Sequence, residues 1–226
     1  RGAVLGEEGR VRAVGEADEL RRTCPRAAVT DCGDHLLSAG FVDAHAHYPQ
    51  TAIIASWGKR LIDWLNAYTF PEEMRFADPA HAAAIAERYL DLLLAHGTTS
   101  VCSYCTIHPE SVEAFFAAAR ARGMRVWAGK TSCLMQTHLS EQTDEIAWVK
   151  SLYPEARDYL DIYERHGLLG PGGLYGHAIH LEPRERDRLR EVDASLIHCP
   201  TSNTFIGSGL FDMDGLARAG HRIGLA

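Results

Sequence analysis

The sequence predicts an α/β fold: a parallel sheet, either open or closed as a (β/α) barrel, following a small β-domain. Three observations carry this reading. From residue 41 onward, apolar strand-like runs alternate with helical stretches, the pattern that builds parallel sheets. Several of those runs end in histidine, where a barrel would gather its strand ends at one mouth. Residues 1–40 read differently, as short strands broken by turns such as Gly6-Glu7-Glu8-Gly9 and Asp31-Cys32-Gly33-Asp34, with Val11-Arg12-Ala13-Val14 alternating between them.

Phe41-Val42-Asp43-Ala44-His45-Ala46-His47 reads as a buried strand. Residues i and i+2 of a strand face the same side, so His45 and His47 present two imidazoles to one point. That suits a metal ion, although a pair of half-exposed histidines near a strand end is the plainer alternative. Residues 51–70 carry Trp57, Leu61, Ile62, Trp64, Leu65, Tyr68 and Phe70, which either line a pocket for a flat ligand or pack as core. Asp78 and Pro79 open a helix as N-cap and first residue; it runs to about His96 and stops at Gly97. A strand over Thr98–Cys105, a helix over Ser111–Arg122 closed by Gly123, and a strand over Arg125–Thr131 follow.

Ser132–His138 then reads as another strand with nothing separating it from the last. Parallel neighbours need a crossover of about a dozen residues or more, and no turn residue stands at Thr131–Ser132 for a hairpin. A missing segment is therefore predicted between 131 and 132; a Cα separation of about 3.8 Å there, one trans peptide, would refute it. The alternation resumes with a helical region from Asp144 to about His166, interrupted near Pro154. It continues with a strand over Gly173–Leu181, a charged helix from Pro183 to about Val192 and a strand over Ala194–Pro200 leading into Thr201-Ser202-Asn203. A glycine-rich loop, a helix over about Met213–Ala219 and a last strand over His221–Ala226 complete the chain. One further strand–helix unit at residue 131 would bring the strands to the number a closed barrel needs.

Composition excludes several function classes. The 226 residues are 46% hydrophobic and 23% charged, ordinary for a soluble globular protein. A net charge of −7 offers no footprint for nucleic acid and no basic face for a membrane. No apolar run approaches the roughly 18 residues of a membrane span, and no secretory signal opens the chain. The start at Arg1 implies that something upstream is absent. Six cysteines scattered through apolar strands suit a reduced, cytoplasmic protein. Cys102-Ser103-Tyr104-Cys105 has metal-knuckle spacing without a second pair, so buried thiols are the simpler reading.

The chemistry gathers at strand ends: His45 and His47 on one, His138 on another, His177 or His180 on a third, His198 on a fourth. Catalytic zinc commonly takes three protein ligands and leaves a position for water, whose pKa then falls to about 7. His45, His47 and His138 could supply the three nitrogens. Glu141, three residues beyond His138, is the candidate to move protons, although as a lone His-x-x-Glu it is more simply a cap or surface residue.

Taken together, Gly40–Gln50, Trp64-Leu65-Asn66 with Tyr68-Thr69-Phe70-Pro71, Gln136–Glu141, Gly176–Leu181 and His198–Asn203 resemble the metal-dependent amidohydrolase superfamily, most closely its guanine deaminase branch. The resemblance implies a (β/α)8 TIM-type barrel with a small β-sandwich domain, here incomplete: residues 1–40 would be part of the sandwich and 41–226 a barrel truncated at its eighth strand. It implies one zinc ion (Zn2+) per subunit on His45, His47 and His138, and Glu141 as proton shuttle. His177, rather than His180, would contact the metal-bound water and the substrate. Gln50 would hydrogen-bond the purine, and Trp64 and Leu65 would line its pocket; the role of His198 stays open. The implied reaction is hydrolysis of guanine to xanthine and ammonia in purine catabolism, by a cytoplasmic homodimer.

The sequence departs from the family pattern twice. Family members carry a metal-bound Asp ending the eighth strand, where this chain stops at Ala226, and a Pro-Arg-Phe motif whose expected place is the Thr131–Ser132 junction. These 226 residues alone are therefore expected to be inactive. A sister enzyme acting on another purine, a pyrimidine or a triazine is an alternative, as is a binding protein on the same barrel. The last would have lost Glu141 or a metal histidine, and all are present. The unrelated zinc deaminases pair His-x-Glu with Pro-Cys-x-x-Cys, and His180-Leu181-Glu182 matches only the first half. Iron, manganese or nickel also suits such ligands.

Overall fold

In the computed structural model, which describes residues 1–58, 60–128 and 135–226, strands β1 (Gly2–Glu7) and β2 (Arg10–Glu16) form an antiparallel hairpin. Its two-residue turn places Glu8 and Gly9 at φ 51° and 74°, the primed-turn geometry that matches strand twist. Helix α1 (Ala17–Thr23) follows, with Asp18 and Glu19 in its first turn and Arg21 and Arg22 in its last, each complementing the helix dipole. The turn-and-strand expectation for residues 1–40 missed this helix, which buries no residue and so carries no apolar periodicity. Arg1–Ala39 form one compact unit and Gly40–Ala226 another.

The second unit is α/β. Strand β3 (Phe41–His47) is followed by a 3-10 turn (Tyr48–Ile53), α2 (Leu61–Trp64), a π-helical turn (Leu65–Thr69), α3 (Phe70–Met74) and a second 3-10 turn (Arg75–Ala77). The π turn runs directly into Pro71, which lacks the N–H a regular α-helix would bond to Ala67. Helix α4 (Pro79–Ala95) starts as its sequence dictates: Asp78 Oδ1 accepts from Ala80 N at 2.9 Å, and Pro79 fills the first position. It buries Ala82, Ala86 and Leu90. Strand β4 (Thr98–Tyr104), helix α5 (Pro109–Arg122) and strand β5 (Arg125–Ala128) follow. Gly123, at φ 66°, ends α5, while Met124 N reaches back to Ala119 O at 3.1 Å, the bond of a Schellman cap. The three strands pair in parallel in the order β3-β4-β5.

A second parallel sheet, in the order β6-β7-β8-β9, is built from β6 (Gln136–Leu139), β7 (Leu174–His177), β8 (Ser195–His198) and β9 (Arg222–Leu225). Between them lie α6 (Thr143–Leu152), α7 (Tyr159–Arg165), α8 (Pro183–Glu191), α9 (Pro200–Phe205) and α10 (Met213–Arg218). The break expected near Pro154 separates α6 from α7. Capping boxes start α6 (Gln142 with Glu145) and α8 (Glu182 with Glu185). Helix α9 was not anticipated: Thr201-Ser202-Asn203 reads as polar chain, yet Pro200 starts a short helix there. The predicted break at Thr131–Ser132 lies outside the described residues, as do the adjoining ends of the two strands expected there.

Each sheet has its own apolar core. Tyr48, Phe76, Leu90, Val101 and Phe115 pack around the first; Leu139, Leu160, Tyr175, Leu189, Leu196 and Leu216 around the second. Each such side chain, taken fully out of water, contributes about 1.5–3 kcal/mol. Arg184 pairs with Asp158 and, at 3.1 Å, with Glu164, and Arg188 reaches Glu164 at 2.6 Å, tying α8 to α7. Among the described residues no helix is long and apolar enough to cross a membrane.

Candidate metal centre and active site

Strand alternation turns His45 and His47 the same way, and β6 brings His138 to meet them. His45 Nε2 lies 3.3 Å and His47 Nε2 3.1 Å from His138 Nε2. Zinc–nitrogen bonds of about 2.0–2.1 Å in a tetrahedron put neighbouring nitrogens roughly 3.3–3.4 Å apart, so the three rings fit one ion. Burial, followed by mutual charge repulsion, holds all three well below the ordinary histidine pKa. They are thus neutral, the form that binds metal. Tyr104, at the end of β4, stacks on His47 with ring centroids 4.6 Å apart and planes 9° apart. Gly176 on β7 is required by His45: a Cβ there would lie 2.6 Å from His45 Nδ1. Asp43 Oδ1 accepts from His45 N at 3.0 Å, and burial pushes the Asp43 carboxyl upward against that bond.

Glu141 and His177 stand beside this trio. Ser140 turns the chain after β6 at φ 48°; His177, the last residue of β7, and Ala178 do the same at φ 66° and 48°. Such left-handed conformations in non-glycine residues cost about 1–3 kcal/mol each and persist where the surroundings enforce them. Here Ala178 N donates to Leu139 O at 2.9 Å and His180 N to Ser140 O at 3.0 Å, which stitches the two strand ends together beyond the sheet. Glu141, 2% exposed, donates its backbone N–H to Glu145 Oε2 at 3.1 Å and accepts at Oε1 from Ser208 Oγ at 3.0 Å. Burial pushes its carboxyl up to about 7, with the Ser208 bond opposing and the Glu145 charge adding. His177 donates from Nδ1 to Asn203 Oδ1 at 2.8 Å; burial lowers it to about 4, with Asn203 opposing. Its Nδ1 lies 3.4 Å from Glu141 Oε1, yet with these values both partners are neutral between about pH 4 and 7, so the contact is no ion pair in that window.

The structure thus brings together His45, His47, His138, Glu141 and His177. His180 is turned elsewhere, donating from Nε2 to Ser208 O at 2.9 Å, and His198 stacks on Phe211 with centroids 4.8 Å apart. Gln50 lies on the turn after His47 with its Nε2 donating to Glu73 Oε1 at 3.4 Å, and the Trp64 indole donates to Ser56 O at 3.1 Å. Leu65 opens the π turn. Among the described residues, none of these three makes a hydrogen bond to the five. Cys102 is a buried thiol that donates to Gln136 Oε1 at 3.1 Å and is pushed up to about 11 by burial, while Cys105 is half-buried. Sequence reasoning missed Tyr104 and Ser208, and it gave no role to Asn203 or Cys199 within the matched stretch His198–Asn203; the Cys199 Sγ sits within 4.8 Å of ring nitrogens of His45 and His177. The Gly207-Ser208-Gly209 setting was the only local sign of Ser208.

The amidohydrolase family model matches residues 36–134 and 128–226. The chain belongs to the amidohydrolase family. This amidohydrolase is 34% identical to the guanine deaminase of Escherichia coli (strain K12) over 275 aligned residues, covering 94% of this chain and 63% of that protein. It therefore spans less than two thirds of that relative's length. Among solved structures, E. coli guanine deaminase superposes with a TM-score of 0.93 at 32% identity, over 100% of this chain and 67% of that one. A guanine deaminase from C. acetobutylicum with bound guanine in the active site superposes with a TM-score of 0.90 at 25% identity, over 100% and 68%.

Proposed function

We propose that the chain carries the metal centre and proton-transfer site of a zinc-dependent guanine deaminase, which hydrolyses guanine to xanthine and ammonia. The observation that carries the proposal is the meeting of three neutral imidazoles, with His138 Nε2 3.3 and 3.1 Å from the nitrogens of His45 and His47 and all three within 4.8 Å of one another, beside a buried carboxyl pushed up to about 7. The relatives named guanine deaminase, one of them holding guanine, direct it to this substrate.

One zinc ion on His45, His47 and His138 would supply a water whose pKa lies near 7. Glu141, with its carboxyl at about 7, can take up a proton and hand it to the ring nitrogen beside the amino-bearing carbon, both near neutral pH. His177, its Nδ1 proton committed to Asn203, keeps Nε2 as an acceptor for water or substrate. Gln50 spends an amide N–H on Glu73 and keeps its Oε1 for a purine N–H, while Trp64 and Leu65 line the pocket.

The proposal extends to the fold: a (β/α)8 barrel with residues 1–40 in a small β-sandwich and one strand–helix unit absent from this chain between β5 and β6. Among the described residues, seven parallel strands fall into a three and a four, with no pairing between β5 and β6. At the other join β9 meets β3, where a Cβ at Gly224 would touch Ala44 Cβ at 3.5 Å. The alignment to the E. coli enzyme runs over 275 positions although this chain has 226 residues, so part of that enzyme has no counterpart here. Cys24, Cys32, Cys102 and Cys199 stand outside any disulfide, in keeping with a cytoplasmic enzyme. A homodimer completes the proposal and is checked by light scattering.

The test is ammonia release by the full-length protein from guanine, adenine, cytosine and a triazine, with metal analysis. Guanine turnover with about one zinc per subunit is expected; turnover of another ring alone would make it a sister enzyme, and none at all a binding protein. Glu141→Gln should abolish turnover and leave zinc bound; retained turnover removes Glu141 from the mechanism.

A further inference from the structure

The geometry points to Ser208 as the positioning residue that decides which oxygen of Glu141 carries the proton. This rests on the deaminase reading above. Every polar atom of Ser208 is engaged. Its N–H donates to Asn203 O at 2.8 Å, its carbonyl accepts from His180 Nε2 at 2.9 Å, and its hydroxyl oxygen accepts from Gln142 Nε2 at 3.3 Å. Gln142 Nε2 also donates to Ile206 O at 3.1 Å, so the same amide clamps the turn at two points. With its lone pair facing the Gln142 amide, the hydroxyl has one direction left for its proton: Glu141 Oε1, at 3.0 Å, with both residues buried.

The consequence is directional. Gln142 donates to Ser208, and Ser208 donates to Glu141 Oε1, so Oε1 is a committed acceptor. It also faces His177 Nδ1 at 3.4 Å, whose proton goes to Asn203 Oδ1. A proton taken up by Glu141 therefore resides on Oε2, and Oε2 is the oxygen that hands it to the substrate ring nitrogen. Proton and charge balance within the step: the water loses the proton that Oε2 gains, and Oε2 loses it again to the ring. Asn203 lies in α9 and Ser208 in the turn that follows, and the two are joined by the Ser208 N–H to Asn203 O bond. One short segment thus orients both Glu141 and His177.

Ser208→Ala and Ser208→Gly in the zinc-loaded, full-length protein remove the hydroxyl; Ser208→Thr keeps it. The expected result is a fall in kcat of about 10- to 100-fold for Ala and Gly, the usual cost of losing a partner one shell out, with KM unchanged and zinc retained. Thr should keep most of kcat. Crystal structures of wild type and Ser208→Ala give a readout apart from turnover: in the Ala variant the Glu141 carboxylate should rotate off its 3.4 Å contact with His177. Wild-type kcat in the Ala and Gly variants, a loss in Thr as deep as in Ala, or an unmoved carboxylate overturns the assignment. Wild-type protein inert towards guanine would instead sink the deaminase reading, and the carboxylate position would still judge Ser208.

Discussion

Gly176→Ala is the substitution that the metal centre should tolerate least. A Cβ at 176 would sit 2.6 Å from His45 Nδ1 and 3.1 Å from its Nε2, with Cε1 closer still. To bring Cε1, at 2.3 Å, out to the ordinary contact distance of about 3.4 Å, the ring must retreat by about 1.1 Å. It has little room, because the rings of His47, Tyr104, His138 and His177 lie 4.7–5.3 Å from it, centroid to centroid. Metal–ligand distances tolerate roughly 0.2 Å, so the displaced nitrogen cannot hold its place in the coordination sphere. Zinc affinity should fall by at least about 100-fold, or about 2.8 kcal/mol at 1.4 kcal/mol per tenfold. The metal-free fold should lose about 1–3 kcal/mol to overpacking. Competition with a chromophoric chelator measures the first, and denaturant unfolding of the metal-free protein the second. Gly170→Ala is the control, since a Cβ there meets nothing within 4 Å. Zinc affinity in Gly176→Ala equal to that in the control would refute the claim that the absent side chain makes room for His45.

Two further outcomes follow from burial. Leu90→Ala, at the fully buried centre of the first core, should cost about 2–5 kcal/mol in chemical unfolding of the full-length protein; a loss under about 1 kcal/mol would mean that α4 does not pack as described. Metal-free protein should lose thermal stability as pH falls from about 7 to about 5. His45, His47, His138, His177, His198 and His221 all titrate below the ordinary 6.5 in the folded state. Their contribution is full above pH 6.5 and fades below it, for His177 down to about 4. Glu141, raised from 4.5 to about 7, acts oppositely: its contribution is full below pH 4.5 and fades as pH climbs through 7, and the raised Asp43 and Glu185 share its sign. The histidines outnumber the carboxyls, so a melting temperature that rises on acidification would refute the assignment.

What the sequence discloses depends on how local its cause is. The parallel α/β pattern, the Asp78-Pro79 start of α4 and the Gly123 stop of α5 follow from neighbours within a few positions, and all are legible. His45 and His47 are legible because a period of two is itself geometry. Apart from its flanking glycines, little in the chain sets Ser208 apart from any other loop serine: its partner Glu141 is 67 residues earlier, and they meet because β6, β7 and β8 stand side by side. Asn203 was hidden for a further reason, since helix α9 is too short to show a period. Helix α1 was hidden because it buries nothing, and the α–π–α run from Leu61 to Met74 because its aromatic residues fit pocket and core equally well.

The bonds from Ala178 to Leu139 and from His180 to Ser140 join the loops after β6 and β7 past the point where the sheet ends. The acid and the histidine beside it are consequently geared: a change that lets one loop relax is transmitted to the other. Substitutions at Ser140 and Ala178 should be strongly non-additive.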